Sequence, residues 1–314
     1  MRPRLFFSRD DLPRGIETID LLDPTKDISG IWVYFPWRTV AVHIPGEDLY
    51  YQLRTNRNKN LITKEEQEKF RSCKIGIAGL SVGSAILETL VLSGGPKIIK
   101  LADPDIVDMT NLNRMKASLL NVGENKAVVA ARRAWELDPF LRIQIWKEGL
   151  KAENLNDFIA KDPKLDIFID EMDNIEMKIN SRFVCRHHGI PVIMATDLGD
   201  RVMLDIERFD IEPSRPLFHG LVDIDHSKLK GLAKDGALKE KWLELAGQVI
   251  GSANLPERLS ESFKQVGKTL DGVPQLGSTA ALAGAVATYA IRQIACRHEM
   301  SSGRYFVDLE KLIG

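Results

Sequence analysis

Between Lys74 and Lys126 the chain alternates short apolar runs with clusters of glycine, acid and amide residues. Ile75-Gly76-Ile77-Ala78 reads as a buried strand running into the glycine turn Gly79-Leu80-Ser81-Val82-Gly83-Ser84. Ala85 to Leu92 is an apolar helix closed by Ser93-Gly94-Gly95-Pro96, and Ile98 to Ala102 is a second strand ending at Asp103-Pro104-Asp105. Strand, glycine turn, helix, strand and acid form the nucleotide-binding half of a doubly wound α/β domain. Glycine suits the turn because the backbone must bend sharply near phosphate, and the following helix aims free N–H groups at the anion.

The same rhythm continues downstream. A long polar loop over 104–125 leads to a helix opening at Lys126 and stopped by Asp138-Pro139. Arg142 to Trp146 alternates as a strand, and Leu165 to Ile169 is a buried strand that delivers Asp170 and Asp173 to the ligand edge. A helix near 176–188, a strand from Pro191 to Ala195, and a strand from Arg201 to Phe209 with one wet face follow. Upstream, Ile31 to His43 reads as two strands broken at Pro36, a small hairpin expected to pack on the main sheet. Thr63-Lys64-Glu65-Glu66 is an N-cap for a helix running to Arg71. After a proline-rich turn near 211–220, amphipathic helices are expected near 236–250 and 255–267, then an alanine- and glycine-rich helix from Leu276 to Cys296.

The expected fold is therefore α/β: a Rossmann-like, doubly wound, largely parallel sheet with helices on both faces. It divides into an N-terminal extension (1–53), a nucleotide-binding core (54–209), a crossover segment (210–273) and a C-terminal helix and strand completing the core (274–314). Lys plus Arg number 43 against 44 Asp plus Glu, so no strong field favours nucleic acid or a membrane as partner. The run from Leu276 stops short of a hydrocarbon core at Arg292. Cys73, Cys185 and Cys296 are scattered and give neither a disulfide framework nor a zinc site. With no signal-peptide pattern at the start, a cytoplasmic location is expected.

The segment after the second strand is more specific than the glycines. Asp103-Pro104-Asp105-Ile106-Val107-Asp108-Met109-Thr110-Asn111-Leu112-Asn113-Arg114 resembles the Asp-x-Asp-x-Val-x-x-(Ser/Thr)-Asn-Leu-x-Arg signature of the MoeB/ThiF/HesA family, whose adenylating fold is shared with ubiquitin-activating enzymes. Gly123-Glu124-Asn125-Lys126-Ala127 is similar to its Gly-x-x-Lys-Ala, Asp170-Glu171-Met172-Asp173-Asn174 to its Asp-x-x-Asp-Asn, and Arg54-Thr55-Asn56-Arg57-Asn58 to its Arg-Tyr-x-Arg-Gln. The resemblance spans roughly 54 to 300.

It implies an ATP-dependent adenylyltransferase that activates a carboxylate with loss of pyrophosphate. By resemblance Gly79, Gly83, Ser84, Asp103, Asp105, Asn111 and Asn174 bind nucleotide, with Asp103 and Asp105 facing the ribose. Arg114 and Lys126 meet the phosphates, Asp173 is the acid linked to Mg²⁺, and Arg57 reaches the nucleotide of the other subunit of a homodimer. Arginine suits such roles because its fork binds oxygens in pairs and never loses its charge. The implied acceptor is the C terminus of a small ubiquitin-like carrier or a peptide; a modified tRNA base is also known in the family, and the neutral charge argues against it.

Several positions depart from the family pattern. Ser81 and Val82 stand where glycines are usual and are expected to crowd the phosphate route, Lys178 replaces an arginine, and Met115 a glutamine. The 210–273 segment has no cysteine for a thioester stage, and four-cysteine zinc ligands are absent. Two other readings use the same fold: a non-catalytic dimeric scaffold, and a nicotinamide-dependent oxidoreductase, which would leave Asn111, Arg114, Lys126 and Asp173 without roles.

Overall fold

The computed structural model describes residues 4–5, 30–222, 245, 247–251 and 255–313. Two sheets are present among these residues. The small one has the order β1-β3-β2, from β1 (Arg4–Leu5), β2 (Gly30–Phe35) and β3 (Val40–Pro45). The hairpin expected around Pro36 forms, with a short 3-10 turn at Pro36–Arg38. It packs on a helix rather than on the main sheet: Trp37 stacks at 6.1 Å from Trp135, and Trp37 and Arg38 both donate to Glu136. Two indole rings bury apolar area there; the carboxylate satisfies the Trp37 N–H, while that of Trp135 donates to the Leu141 carbonyl.

The helices α1 (Glu47–Arg54) and α2 (Lys64–Ser72) lead into the main sheet. Its strands are β4 (Lys74–Ala78), β5 (Ile98–Ala102), β6 (Arg142–Trp146), β7 (Ile167–Asp170), β8 (Val192–Leu198), β9 (Arg201–Glu207) and β10 (Gly303–Asp308). Their order is β10-β9-β8-β7-β4-β5-β6, with β4 to β8 parallel and β9 antiparallel to both neighbours. The helices α3 (Val82–Leu92), α4 (Lys126–Leu137) and α8 (Gly277–Ala295) share one core with Ile75, Ile77, Ile99 and Leu101, the alternate residues of β4 and β5. On the other face α5 (Leu155–Ala160) and α6 (Ile175–His188) bring Phe158 and Cys185 against Ala78, Ala102 and Phe168. Connections leave β4 on one face and β6 on the other, so the topology reverses between β4 and β7. Open α/β sheets bind ligands beyond the carboxyl ends of strands at such a point.

Two expectations need correction, the wet face of β9 and the bounds of the helix near 255–267. The strand β9 has no wet face, since Val202 to Glu207 are all buried. Its polar alternation misleads because Asp205 pairs with Arg304 and His219, and Glu207 with Arg182. The 104–125 loop is less polar in outline than its composition, exposing Ile106, Met109, Leu119 and Leu120. In the crossover segment, 247–250 are helical while 236–244 lie outside the described residues, and the later helix is confined to α7 (Glu257–Phe263). A last short helix, α9 (Leu309–Ile313), follows β10. No helix among the described residues is long and apolar enough to cross a membrane.

Candidate active site

The glycine turn sits on the switch point. Gly79 has φ of +88°, and a Cβ there would lie 2.2 Å from the carbonyl oxygen of Glu171, so glycine alone fits between β4 and the β7 loop. Leu80 N–H then donates to Asp103 Oδ2 at 2.6 Å, binding the turn to the end of β5. The helix α3 starts at Val82 without a side-chain cap, and the N–H groups of Val82 and Gly83 meet no acceptor among the described residues. Unpaired N–H groups and the positive end of an 11-residue helix make this an anion site. Val82 does not crowd it, since its side chain is buried in the core. The Ser81 hydroxyl accepts from Arg114 Nε at 3.2 Å.

Around the end of β5, Asp103 is 4% exposed, with its second oxygen accepting from Asp105 N–H at 2.9 Å. Burial pushes its carboxyl up from the usual range, against the two backbone donors. Asp105 is more open and pairs with Lys126 Nζ at 2.9 Å. Lys126 opens α4 behind Asn125, whose side chain caps the helix at Ala127 and Val128 and also donates to the Asp103 carbonyl. A cation in the first turn opposes the helix dipole; Asp105 compensates it here. Asn111 accepts from Asp108 N–H at 3.1 Å within a capping box, which folds the loop so that Arg114 reaches Ser81.

The end of β7 carries the acids. Asp170 is fully buried, its Oδ1 accepting from Met172 N–H at 3.2 Å, and it is paired with Arg182 and, at 3.3 Å, with Lys178. Burial pushes it up, but the two cations outweigh that and hold it below the usual carboxylate range. Arg182 also binds Glu207 and stacks on Phe218, so this fully buried arginine, one turn beyond Lys178, is committed to the two acids. Glu171 packs under the glycine turn and accepts from Ala195 N–H at 2.8 Å; burial raises its carboxyl well above the ordinary value. Asp173 is exposed and free of hydrogen bonds and ion pairs among the described residues. It lies near enough to Asp197, at the end of β8, for the two charges to act on each other.

The structure thus brings Gly79, Gly83, Asp103, Asp105, Asn111, Arg114, Lys126 and Asp173 to one edge of the sheet. Two expected nucleotide contacts are otherwise engaged. Ser84 is 2% exposed, donating to the Ser81 carbonyl and accepting from Lys116 N–H, so its hydroxyl tightens the turn. Asn174 caps α6 through Met177 N–H. Arg57 is not with the others: it is exposed beside Asn58, whose amide donates to the Ser93 carbonyl at the far end of α3. The sequence reading passed over Arg182, Glu171, Asp197 and Gln275. Arg182 could have been found from helical spacing, one turn after Lys178, but Asp197 and Gln275 meet only through the fold.

A family model described as "ThiF family" matches residues 54–309. An uncharacterized protein of Mycobacterium tuberculosis is 38% identical over 92% of this chain, which spans only 39% of that relative's length. The tRNA threonylcarbamoyladenosine dehydratase of Bacillus subtilis is 30% identical over 68% of this chain and 80% of its own. The molybdopterin-synthase adenylyltransferase of Haemophilus influenzae is 25% identical over 72% of this chain and 90% of its own. Among solved structures, that of PaaA is similar in fold, with a TM-score of 0.60 at 17% identity over 85% of this chain and 81% of its own. A match over most of the chain, residues 54–309, shows that this chain belongs to the ThiF family.

Proposed function

We propose that this chain is an ATP-dependent adenylyltransferase that activates a carboxylate as an acyl-adenylate without a thioester stage. The observation that carries the reading is the meeting, at one sheet edge, of an uncapped helix N terminus, Arg114 and the unpaired Asp173. The adenylyltransferase and dehydratase names of two relatives support it. In the reaction an acceptor carboxylate oxygen bonds to the α-phosphorus while the bond to the β-phosphate oxygen breaks, and pyrophosphate leaves with that electron pair. The chain needs to position and neutralise more than to react. Val82 and Gly83 N–H groups would hold phosphate oxygens, Arg114 would swing its fork from Ser81 onto them, and Lys126 would exchange Asp105 for phosphate.

Asp173 would hold Mg²⁺, which supplies charge neutralisation on the triphosphate. No group of three metal-ligating side chains occurs among the described residues. A lone free carboxylate nevertheless fits magnesium, which takes one or two carboxylates when phosphates and water fill its other positions. Cys73, Cys185 and Cys296 are all buried, and burial pushes each thiol up, which suits packing rather than thioester chemistry. The acceptor in this reading is the C-terminal carboxylate of a peptide or small ubiquitin-like carrier, and the protein works as a homodimer. Thermal-shift measurements with ATP plus Mg²⁺, AMP and NAD test it. ATP and AMP are expected to stabilise the fold; stabilisation by NAD alone, or by none of the three, overturns the reading.

A further inference from the structure

Asp197, at the C-terminal end of β8, belongs to none of the sequence motifs. It is 8% exposed, and its Oδ1 accepts from Gln275 Nε2 at 2.9 Å. Its Oδ2 is enclosed and has no hydrogen-bond donor among the described residues. An enclosed carboxylate oxygen without a donor is costly, and folded chains rarely keep one without use. The position is also firmly built. While the Gln275 side chain clamps Oδ1, the Gln275 carbonyl accepts from Asn113 Nδ2 at 2.8 Å. One residue therefore ties Asp197 to the loop that carries Arg114.

The order of strands says which part of a substrate would meet it. Along the carboxyl edge come Asp103 after β5, Gly79 after β4, Asp173 after β7 and Asp197 on β8. With ribose at β5 and phosphates over β4, the attacking carboxylate must arrive from the β8 side. We propose that Asp197 recognises the acceptor: Oδ2 takes a hydrogen bond from an N–H next to the acceptor's carboxyl group, as the last amide of a peptide C terminus provides. This deepens the adenylation reading and rests on it.

Three probes separate the two claims, with calorimetry on the full chain. They are AMP, the adenosine acyl sulfamate of N-acetylglycine, and its counterpart built on acetoxyacetic acid, in which an ester oxygen replaces the amide N–H. Wild-type protein should hold the amide probe on the order of tenfold more tightly than the ester, about the worth of one hydrogen bond. In Asp197→Ala and in Asp197→Leu that preference should fall to about one, with AMP binding as the check that the site remains folded. Wild type that binds AMP but holds the two acyl probes equally overturns this inference alone, whatever the variants do. A variant that binds AMP and keeps the amide preference overturns it as well. Wild type that binds none of the three overturns the adenylation reading and this inference with it.

Discussion

Among the acids at the site, Asp173 and Glu171 are two residues apart and do opposite things. Asp173 is exposed and unpaired, so its charge is available to a metal–nucleotide complex. Asp173→Asn keeps the volume and removes the charge, and ATP–pyrophosphate exchange with the acceptor should fall at least about a hundredfold, with the melting temperature little changed. Exchange at the wild-type rate would remove Asp173 from the mechanism. Glu171 instead holds its proton more tightly in the folded state than in the unfolded chain, because burial outweighs Lys178 and the Ala195 N–H. Its contribution to stability is fully present below the unfolded value of about 4.3 and is lost as pH rises through the raised folded value. Glu171→Gln keeps the bond to Ala195 N–H and removes the titration. The variant's melting temperature should therefore gain on the wild type as pH rises through that window, and parallel pH curves for the two proteins would contradict this.

At the scale of elements, the placement of α3 depends on its close contact with α8. A Cβ on Gly284 would lie 2.8 Å from the Ala85 carbonyl and 2.9 Å from Thr89 Oγ1, so the two helices meet backbone to backbone there. Ala280, Ala283 and Ala287 keep the buried face of α8 small around Gly284. Gly284→Val should force the helices apart at a cost of about 1–3 kcal/mol, read by urea denaturation. Because α3 presents the Val82 and Gly83 N–H groups, ATP affinity measured by calorimetry should fall in the same variant. Unchanged affinity in a destabilised protein would show that the helix N terminus tolerates displacement. The buried cluster of Arg182 with Asp170 and Glu207 fixes α6 in a different way, through charges that are costly to leave unpaired.

For the whole molecule, Arg57 is the informative residue. It lies beyond the C-terminal end of α3, and 11 residues of helix separate that end from the glycine turn, roughly 16 Å at the usual rise. Its neighbours Tyr51, Thr55, Asn58 and Arg71 line a cleft of about 1130 Å³ at the opposite edge of the sheet from Asp103 and Asp173. If Arg57 acts on nucleotide, a second copy must bring it. Mixing inactive Arg57→Ala chains with inactive Asp173→Asn chains should restore partial exchange activity, because one mixed dimer carries one intact composite site. The rate lost on removing such an arginine is on the order of 10³-fold, so recovery is easily seen. No recovery after demonstrated subunit exchange would confine Arg57 to its own chain or to no role.

The sequence by itself determined the elements of the core and the edge on which Gly79, Asp103, Arg114, Lys126 and Asp173 gather. Those features are local: a strand is an apolar run, a turn is a glycine that admits no side chain, and Gly79, Asp103 and Asp173 follow their strands within a few positions. The sequence also carried the hairpin around Pro36, though not the helix it rests on. The tertiary structure alone decided which polar groups are already satisfied. Ser84 is the right residue type at the right spacing, yet its hydroxyl is occupied by Lys116 N–H, 32 residues away, as well as by its own turn. Asp205 and Glu207 look like a wet face until Arg304, 99 residues away, and Arg182 neutralise them. Asp197 and Gln275 are 78 positions apart and meet only when α8 is laid beside β8. Pairing between distant polar groups leaves no periodicity in a chain, because it depends on where whole elements pack and not on what each residue prefers.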